Sequence, residues 1–253
     1  MFDLSKRVAV VIGGSGGIGS ALARGLARQG ATVAVASRTV EGLEDVAREI
    51  REETGATVAA FPVNVTSEES VARLVEKVTA EFGTVDILVN AHGYNIKAKA
   101  VDFPMDEWQR LFDANVKGTM MTCKHFGRIM VAKRYGKVIN VSSVRGVRAN
   151  PGGNSAYAAS KAAVDMITRC LAAEWAPYRV TVNAIGPALI ATKFTEEQMK
   201  EPGRTEAYLR NIPLGRLGRP EDLVGTVVLL ASDESEWITG QIFYIDGGLT
   251  AIG

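Results

Sequence analysis

At 253 residues and 47% hydrophobic content the chain can bury one large core, and no apolar run reaches the ~18 residues that a membrane-spanning helix needs. Its 29 basic residues against 28 acidic ones leave a formal charge of +1, which excludes an electrostatic case for a nucleic-acid or membrane partner. The two cysteines, Cys123 and Cys170, stand in apolar helical stretches with neither a disulfide framework nor metal-ligand spacing, and the start "MFDLSKRVAVVIGG" lacks a secretory layout; reduced core thiols, no metal and a cytoplasmic location are expected.

The first predicted strand is "RVAVVI" (7–12), which runs straight into the glycine-rich turn and helix of "GGSGGIGSALARGLARQG". Gly14, Gly16 and Gly19 satisfy G-x-G-x-x-G. In a chain with 26 glycines the motif alone is weak, but its place between a strand and a helix strengthens it. Glycine lets the backbone approach a pyrophosphate, whose charge meets the free N–H groups of the helix N-terminus; a plain tight turn is the competing reading. The second strand, "TVAVAS" (32–37), ends in Ser37 and Arg38 with no acidic residue at its tip. An acidic tip holds the ribose 2′-hydroxyl of NAD, whereas a guanidinium with a hydroxyl beside it suits the 2′-phosphate of NADP. The pair therefore favours NADP, with NAD possible if Arg38 only stacks on adenine or stands in solvent.

A third strand, "TVAAFPV" (57–63), precedes the amphipathic stretch "TSEESVARLVEKVTAEFG", with Val71, Leu74, Val75 and Val78 on one face, Thr66 or Ser67 to cap its start and Gly83 to end it. The strands "VDILVN" (85–90), "GKVINVSS" (136–143), "RVTVNAI" (179–185) and "QIFYID" (241–246) complete a set of seven. Alternation of short Val- and Ile-rich strands with helices over 1–253 implies a single α/β domain, a doubly wound parallel sheet with helices on both faces. The polar stretch 188–212, broken by Pro202 and Gly203, reads as a substrate lid.

The alanine-rich stretch "GGNSAYAASKAAVDM" places Tyr157 and Lys161 four residues apart, hence on one face of a helix. A cation near a phenol favours the phenolate and lowers its pKa, so that the phenol can give a proton to a carbonyl or take one from an alcohol. Ser143, after the fifth strand, can bond the same substrate oxygen. Ligands of a doubly wound sheet gather outside the strand C-termini, which brings Ser143, Asn90 and the glycine loop to one edge.

With these residues in place, the chain resembles the short-chain dehydrogenase/reductase family along essentially its whole length. The stretches that carry the likeness are "GGSGGIG", "LVNAHG", "DANVKG", "NVSS", "YAASK", "VNAIGPALIAT" and "ITGQIFYIDGG". The resemblance implies a Rossmann fold and catalysis by Ser143, Tyr157 and Lys161, with Asn115 holding a water linked to the lysine. It resets the glycine register to Gly13, Gly17 and Gly19, with Ser15 and Ile18 on the cofactor side. It places Asn64 and Val65 beside adenine, Asn90, Ala91 and Gly93 beneath the ribose, and Pro187, Ile190 and Thr192 at the nicotinamide. Ile12, Ala91-His92 and Ala188 depart from the family pattern without removing a catalytic group.

The likeness extends to the branch of gluconate 5-dehydrogenase and 3-oxoacyl-carrier-protein reductase. It implies a secondary alcohol or ketone substrate, a sugar acid, polyol or other small hydroxylated anion. Arg145 can clamp an anionic group, and Tyr94, Lys97, Asn154 and His92 are further pocket candidates; Arg145 as a surface ion pair is the competing reading. A 3-oxoacyl-carrier-protein reductase stays open through the basic stretch "KHFGRIMVAKRYGK", and a dinucleotide sensor without chemistry is the non-enzymatic alternative. By resemblance the protein forms a homotetramer through helices 106–133 and 155–175 and the last strand.

Overall fold

The computed structural model describes residues 1–39, 41–192, 195 and 203–252. Seven strands, β1 (Val8–Ile12), β2 (Thr32–Ser37), β3 (Val58–Pro62), β4 (Ile87–Asn90), β5 (Gly136–Val141), β6 (Val180–Pro187) and β7 (Ile242–Ile245), form one sheet in the order β3-β2-β1-β4-β5-β6-β7. Every pairing is parallel. Among the described residues, eight α-helices connect or flank the strands: α1 (Gly17–Arg28), α2 (Leu43–Thr54), α3 (Glu68–Phe82), α4 (Met105–Phe112), α5 (Gly118–Lys133), α6 (Ser155–Trp175), α7 (Arg204–Leu209) and α8 (Val224–Ala231). All seven predicted strands are present: β2 has the expected bounds, β6 runs two residues further to Pro187, and the other five are one or two residues shorter than expected.

Because side chains alternate across a strand, each strand feeds two cores. Ala9 and Val11 of β1 join Val33 and Val35 under Leu22 and Leu26 of α1, Leu43 and Ile50 of α2, and Val227 and Leu230 of α8. Val10 and Ile12 face the other way, with Leu88, Val138 and Val182, under α3, α5 and α6. Burial on both faces explains why the strands read as continuous apolar runs. Among the described residues, no helix is long and apolar enough to cross a membrane.

Local signals set the helix ends. Ser67 caps α3, its Oγ accepting from the Ser70 N–H at 3.2 Å, and Gly83 closes it with φ of 78°. Between α4 and α5 the chain makes a five-residue π turn, Asp113–Lys117, which interrupts the long helix expected over 106–133. Cys123 is buried as expected, but Cys170 is exposed. The inward face of α6 runs through Val164, Thr168, Leu171 and Ala172, and Cys170 is rotated off it.

Among the described residues, Phe126 of α5 is the largest side chain lost completely from solvent, at 0% exposure in the core shared with α3. Phe126→Ala is expected to cost about 3–5 kcal/mol, read as a lower urea midpoint at unchanged slope.

Candidate active site

The glycine loop between β1 and α1 is shaped by contacts that a side chain would forbid. Gly13 has φ of +84°, and both its N–H and that of Gly14 donate to the Ala36 carbonyl, at 2.7 and 3.1 Å. A Cβ on Gly19 would sit 2.1 Å from the Gly13 carbonyl oxygen, whereas one on Gly16 would meet nothing closer than 3.5 Å. Steric demand therefore falls on Gly13, on Gly14, where a Cβ would lie 2.9 Å from Val35 Cβ, and on Gly19, which both registers share. Gly16 is the N-cap of α1, with no side-chain cap and no acidic residue in the first turn. The open N–H groups of that turn fit the pyrophosphate of a dinucleotide. Gly17 faces Thr192, whose methyl would lie 2.9 Å from an added Cβ.

Next to this loop, the Ser15 hydroxyl donates to Ser37 Oγ at 2.7 Å, which joins the loop to the tip of β2. Arg38 follows, exposed. Asn64 turns its side chain into the start of α3, where Oδ1 accepts from the Thr66 N–H and hydroxyl at 3.1 and 2.8 Å. Val65 packs on Gly118 of α5. The Asn90 side chain is occupied in the core: Nδ2 donates to Asn140 Oδ1 at 2.9 Å, and Oδ1 accepts from Thr122 at 2.8 Å. Asn90 therefore offers a ligand its backbone alone.

Tyr157 and Lys161 lie one turn apart on α6, which packs against β6 and against the turn following Ser143. The Tyr157 ring rests on a small cluster of Phe103, Leu111, Ala156 and the partly buried Trp108 and Phe112. Lys161 Nζ donates to the Val141 carbonyl at 2.7 Å and stands 5.7 Å from the Tyr157 ring centroid. Ser143 is buried at the end of β5, its hydroxyl donating to the Pro187 carbonyl at 3.4 Å and accepting from the Arg145 N–H at 3.2 Å. Asn115 sits in the π turn and clamps the 92–94 loop. Its Oδ1 accepts from the Tyr94 N–H, and its Nδ2 donates to the Tyr94 carbonyl, both at 3.0 Å. Gly93 lies between Asn115 and Lys161: a Cβ there would be 2.9 Å from Asn115 Oδ1 and 3.5 Å from Lys161 Nζ.

Burial dominates the titration of these groups. It raises the Tyr157 phenol above its ordinary value, against the opposing pull of the Ser143 hydroxyl and the Arg145 charge. It lowers the Lys161 ammonium to about 8, with Asp165 resisting. The expectation that Lys161 acidifies Tyr157 is thus corrected. The ammonium is aimed at Val141 and is itself short of solvent, and the charge that pulls the phenol down is that of Arg145. Burial also drives His92 to about 3, with the nearby Lys161 adding to the shift, so its ring is neutral.

A cavity of about 1010 Å³ opens along this edge. Ser143, Tyr157 and Lys161 line it together, with Ile18, Ala91, Gly93, Pro187, Ile190 and Thr192 on the side of the glycine loop. Tyr94, Lys97, Arg145 and Asn154 line it too. Gly13, Ser15, Gly17, Gly19, Ser37, Arg38, Asn64, Val65 and Asn90 lie outside this cavity, and Asn115 stands behind its wall. The sequence reading missed Arg148, Asn95, Asn150, Tyr208 and Asn211, which also line it. Arg148 had a usable signal in its spacing of three from Arg145; the others reach the cavity only through the fold. Of the expected lid, Ala207 and Tyr208 of α7 and Asn211 form part of the wall, while 193, 194 and 196–202 fall outside the described residues.

Comparison with known proteins agrees with this geometry. Residues 13–250 match the family described as Enoyl-(Acyl carrier protein) reductase. The chain is 38% identical over 246 residues to a 3-oxoacyl-(acyl-carrier-protein) reductase of Thermotoga maritima, covering 97% of this chain and 98% of that one. It is 34% identical over 250 residues to gluconate 5-dehydrogenase of Gluconobacter oxydans, covering 99% and 97%. The crystal structure of a gluconate 5-dehydrogenase from Burkholderia cenocepacia, in complex with NADP and tartrate, superposes with a TM-score of 0.95 at 32% identity over 100% of this chain and 98% of that one. With a seven-stranded parallel sheet, a glycine loop at its centre and likeness along nearly the full length, the chain belongs to the short-chain dehydrogenase/reductase family of oxidoreductases.

Proposed function

We propose that the protein is an NADP-dependent oxidoreductase that interconverts a secondary alcohol and a ketone, with NAD as the alternative cofactor. The observation that carries this reading is the convergence of Ser143, Tyr157 and Lys161 on one cavity wall beside the glycine loop. In it, Gly13, Ser15, Gly17, Ile18 and Gly19 receive the pyrophosphate, and Ser37 and Arg38 receive the 2′-phosphate. Asn64 and Val65 flank adenine, the backbone of Asn90, Ala91 and Gly93 lies under the ribose, and Pro187, Ile190 and Thr192 border the nicotinamide. Bound there, the nicotinamide supplies or accepts the hydride. Ser143 holds the substrate oxygen by a hydrogen bond, and the Tyr157 hydroxyl gives that oxygen a proton in reduction or takes one in oxidation. Lys161 is fixed to Val141 one turn from Tyr157, and Arg145 supplies the positive charge that favours the phenolate as the proton leaves. Asn115 keeps the 92–94 loop against this group.

The substrate in this reading is a small hydroxylated compound, a sugar acid, polyol or related anion. The rival, a 3-oxoacyl-carrier-protein reductase, needs a free basic surface. Lys124 is paired with Glu68 at 2.5 Å and Lys133 with Asp86 at 2.5 Å, so part of the basic stretch 124–137 is already neutralised. A cytoplasmic homotetramer, assembled through α5, α6 and β7, and closure of 188–212 over the substrate belong to the same proposal. Met120 and Met166 stand exposed on α5 and α6, and β7 is only half-buried, both of which suit contact between copies. Sedimentation is expected to give four chains.

Tyr157→Phe is expected to lower kcat by ~10²–10⁴-fold while NADPH still binds, as read by its fluorescence. Unchanged turnover refutes the assigned proton donor. Because burial holds the phenol protonated near pH 7, ketone reduction should persist through neutral pH and fall only in the alkaline range. Alcohol oxidation, which needs the phenolate, should rise with pH; initial rates in both directions from pH 6 to 10 check the sign. Arg38→Leu should reduce the kcat/KM preference for NADPH over NADH by about tenfold or more, the loss of a charge-assisted contact to phosphate.

A further inference from the structure

The short turn after Ser143 carries two arginines, and both line the cavity. Arg145 and Arg148 are each half-buried and each tethered to the backbone. Arg145 Nη1 donates to the Arg148 carbonyl at 3.2 Å, and Arg148 Nη1 donates to the carbonyl of Leu249 near the C-terminus. A guanidinium carries five N–H donors, so most of each fork is uncommitted. Neither cation forms an ion pair among the described residues, although eleven other lysines and arginines there pair with acidic partners. The described cavity lining adds Lys97 and Lys161 and contains no aspartate or glutamate.

Two like charges three residues apart, half out of water and without a counter-ion, weaken the fold unless an anion joins them. Burial is the largest influence on Arg145 and disfavours its charge, and the neighbouring Arg148 cation adds to that, while Tyr208 and Tyr157 would oppose it only once ionised. Arg145 therefore borders the proposed proton donor, and Arg148 extends the positive wall towards Leu249. Alongside runs a chain of amides. Asn95 donates to Asn154 at 2.8 Å and Asn154 to Asn150 at 2.8 Å, with Asn154 only 6% exposed. That wall suits hydroxyl groups, and the paired forks suit a carboxylate.

We propose that Arg145 and Arg148 together form an anion subsite that holds a substrate carboxylate close to the carbon oxidised or reduced at Tyr157. The substrate class is then a small polyhydroxy carboxylate, as opposed to a neutral polyol or a carrier-bound thioester. This assignment rests on the oxidoreductase reading above and adds to it a second guanidinium, Arg148, and a required charge on the substrate.

The test compares kcat/KM for gluconate and for glucitol, its neutral reduced counterpart, with NADP as cofactor. In Arg148→Gln and in Arg145→Gln the preference for gluconate should fall about tenfold or more through a higher KM, and Arg148→Lys should recover part of it. A preference unchanged by both substitutions overturns the subsite. Calorimetry needs no turnover and can be run on the unaltered protein with NADPH: malonate should bind about tenfold or more tightly than propane-1,3-diol, and added salt should weaken it. Equal binding, or none, overturns the proposal. Tyr157→Phe separates the two readings, since it should abolish turnover yet leave malonate bound. Loss of malonate binding in the arginine variants alone speaks for the subsite, and persistent turnover in Tyr157→Phe speaks against the chemistry.

Discussion

Ile12, the last residue of β1, pairs with Ala36 on one side and with Asn90 on the other. This double pairing is the constraint on which the remaining geometry depends. The chain leaves β1 towards β2 and β3, then returns across the sheet to start β4, so connections diverge at the end of β1 and leave a crevice there. The glycine loop, the 91–94 loop and the turn after β5 all begin at that edge, and parallel pairing makes them begin at the same height. Gly13 is sealed from both sides, by hydrogen bonding to Ala36 and by close approach to Ala91. Disturbing either neighbour of β1 would therefore displace the glycine loop and the candidate catalytic wall together.

Burial supplies the electrostatics of that wall. Tyr157, Lys161 and His92 each titrate away from the charged form, chiefly because water is excluded from them. Lys161 retains its position through one backbone carbonyl, and α6 is thereby tied to the last residue of β5. A phenol held protonated beside a partly destabilised ammonium is suited to proton transfer in both directions, since neither group is trapped in one state by a strong ion pair.

The other half of the cavity follows a different rule. Its donors come from a turn, Arg145 and Arg148, from a loop, Asn95 and Lys97, and from α7, Tyr208, so it is assembled from segments that a family sharing one sheet can vary without disturbing the core. The cofactor side is built from strand ends and glycines whose geometry tolerates little change. This division explains how relatives of similar identity carry names as different as gluconate 5-dehydrogenase and a carrier-protein reductase.

Much of this molecule was written in local patterns. Continuous Val- and Ile-rich runs marked the strands because both faces of a parallel strand are buried, Ser67 and Gly83 marked the ends of α3 because caps are satisfied within a few residues, and the spacing of Tyr157 from Lys161 placed them on one face because a helix repeats every 3.6 residues. What depends on distant neighbours was decided only by the tertiary structure. The sequence could not show that Asn90 turns inward to Asn140, that Cys170 faces outward, that Arg148 joins Arg145 in one cavity, or that Tyr157 is raised and not lowered. Each of these turns on which groups surround a side chain and how much water reaches it, and solvent exclusion is a property of the packed chain that no stretch of residues carries alone.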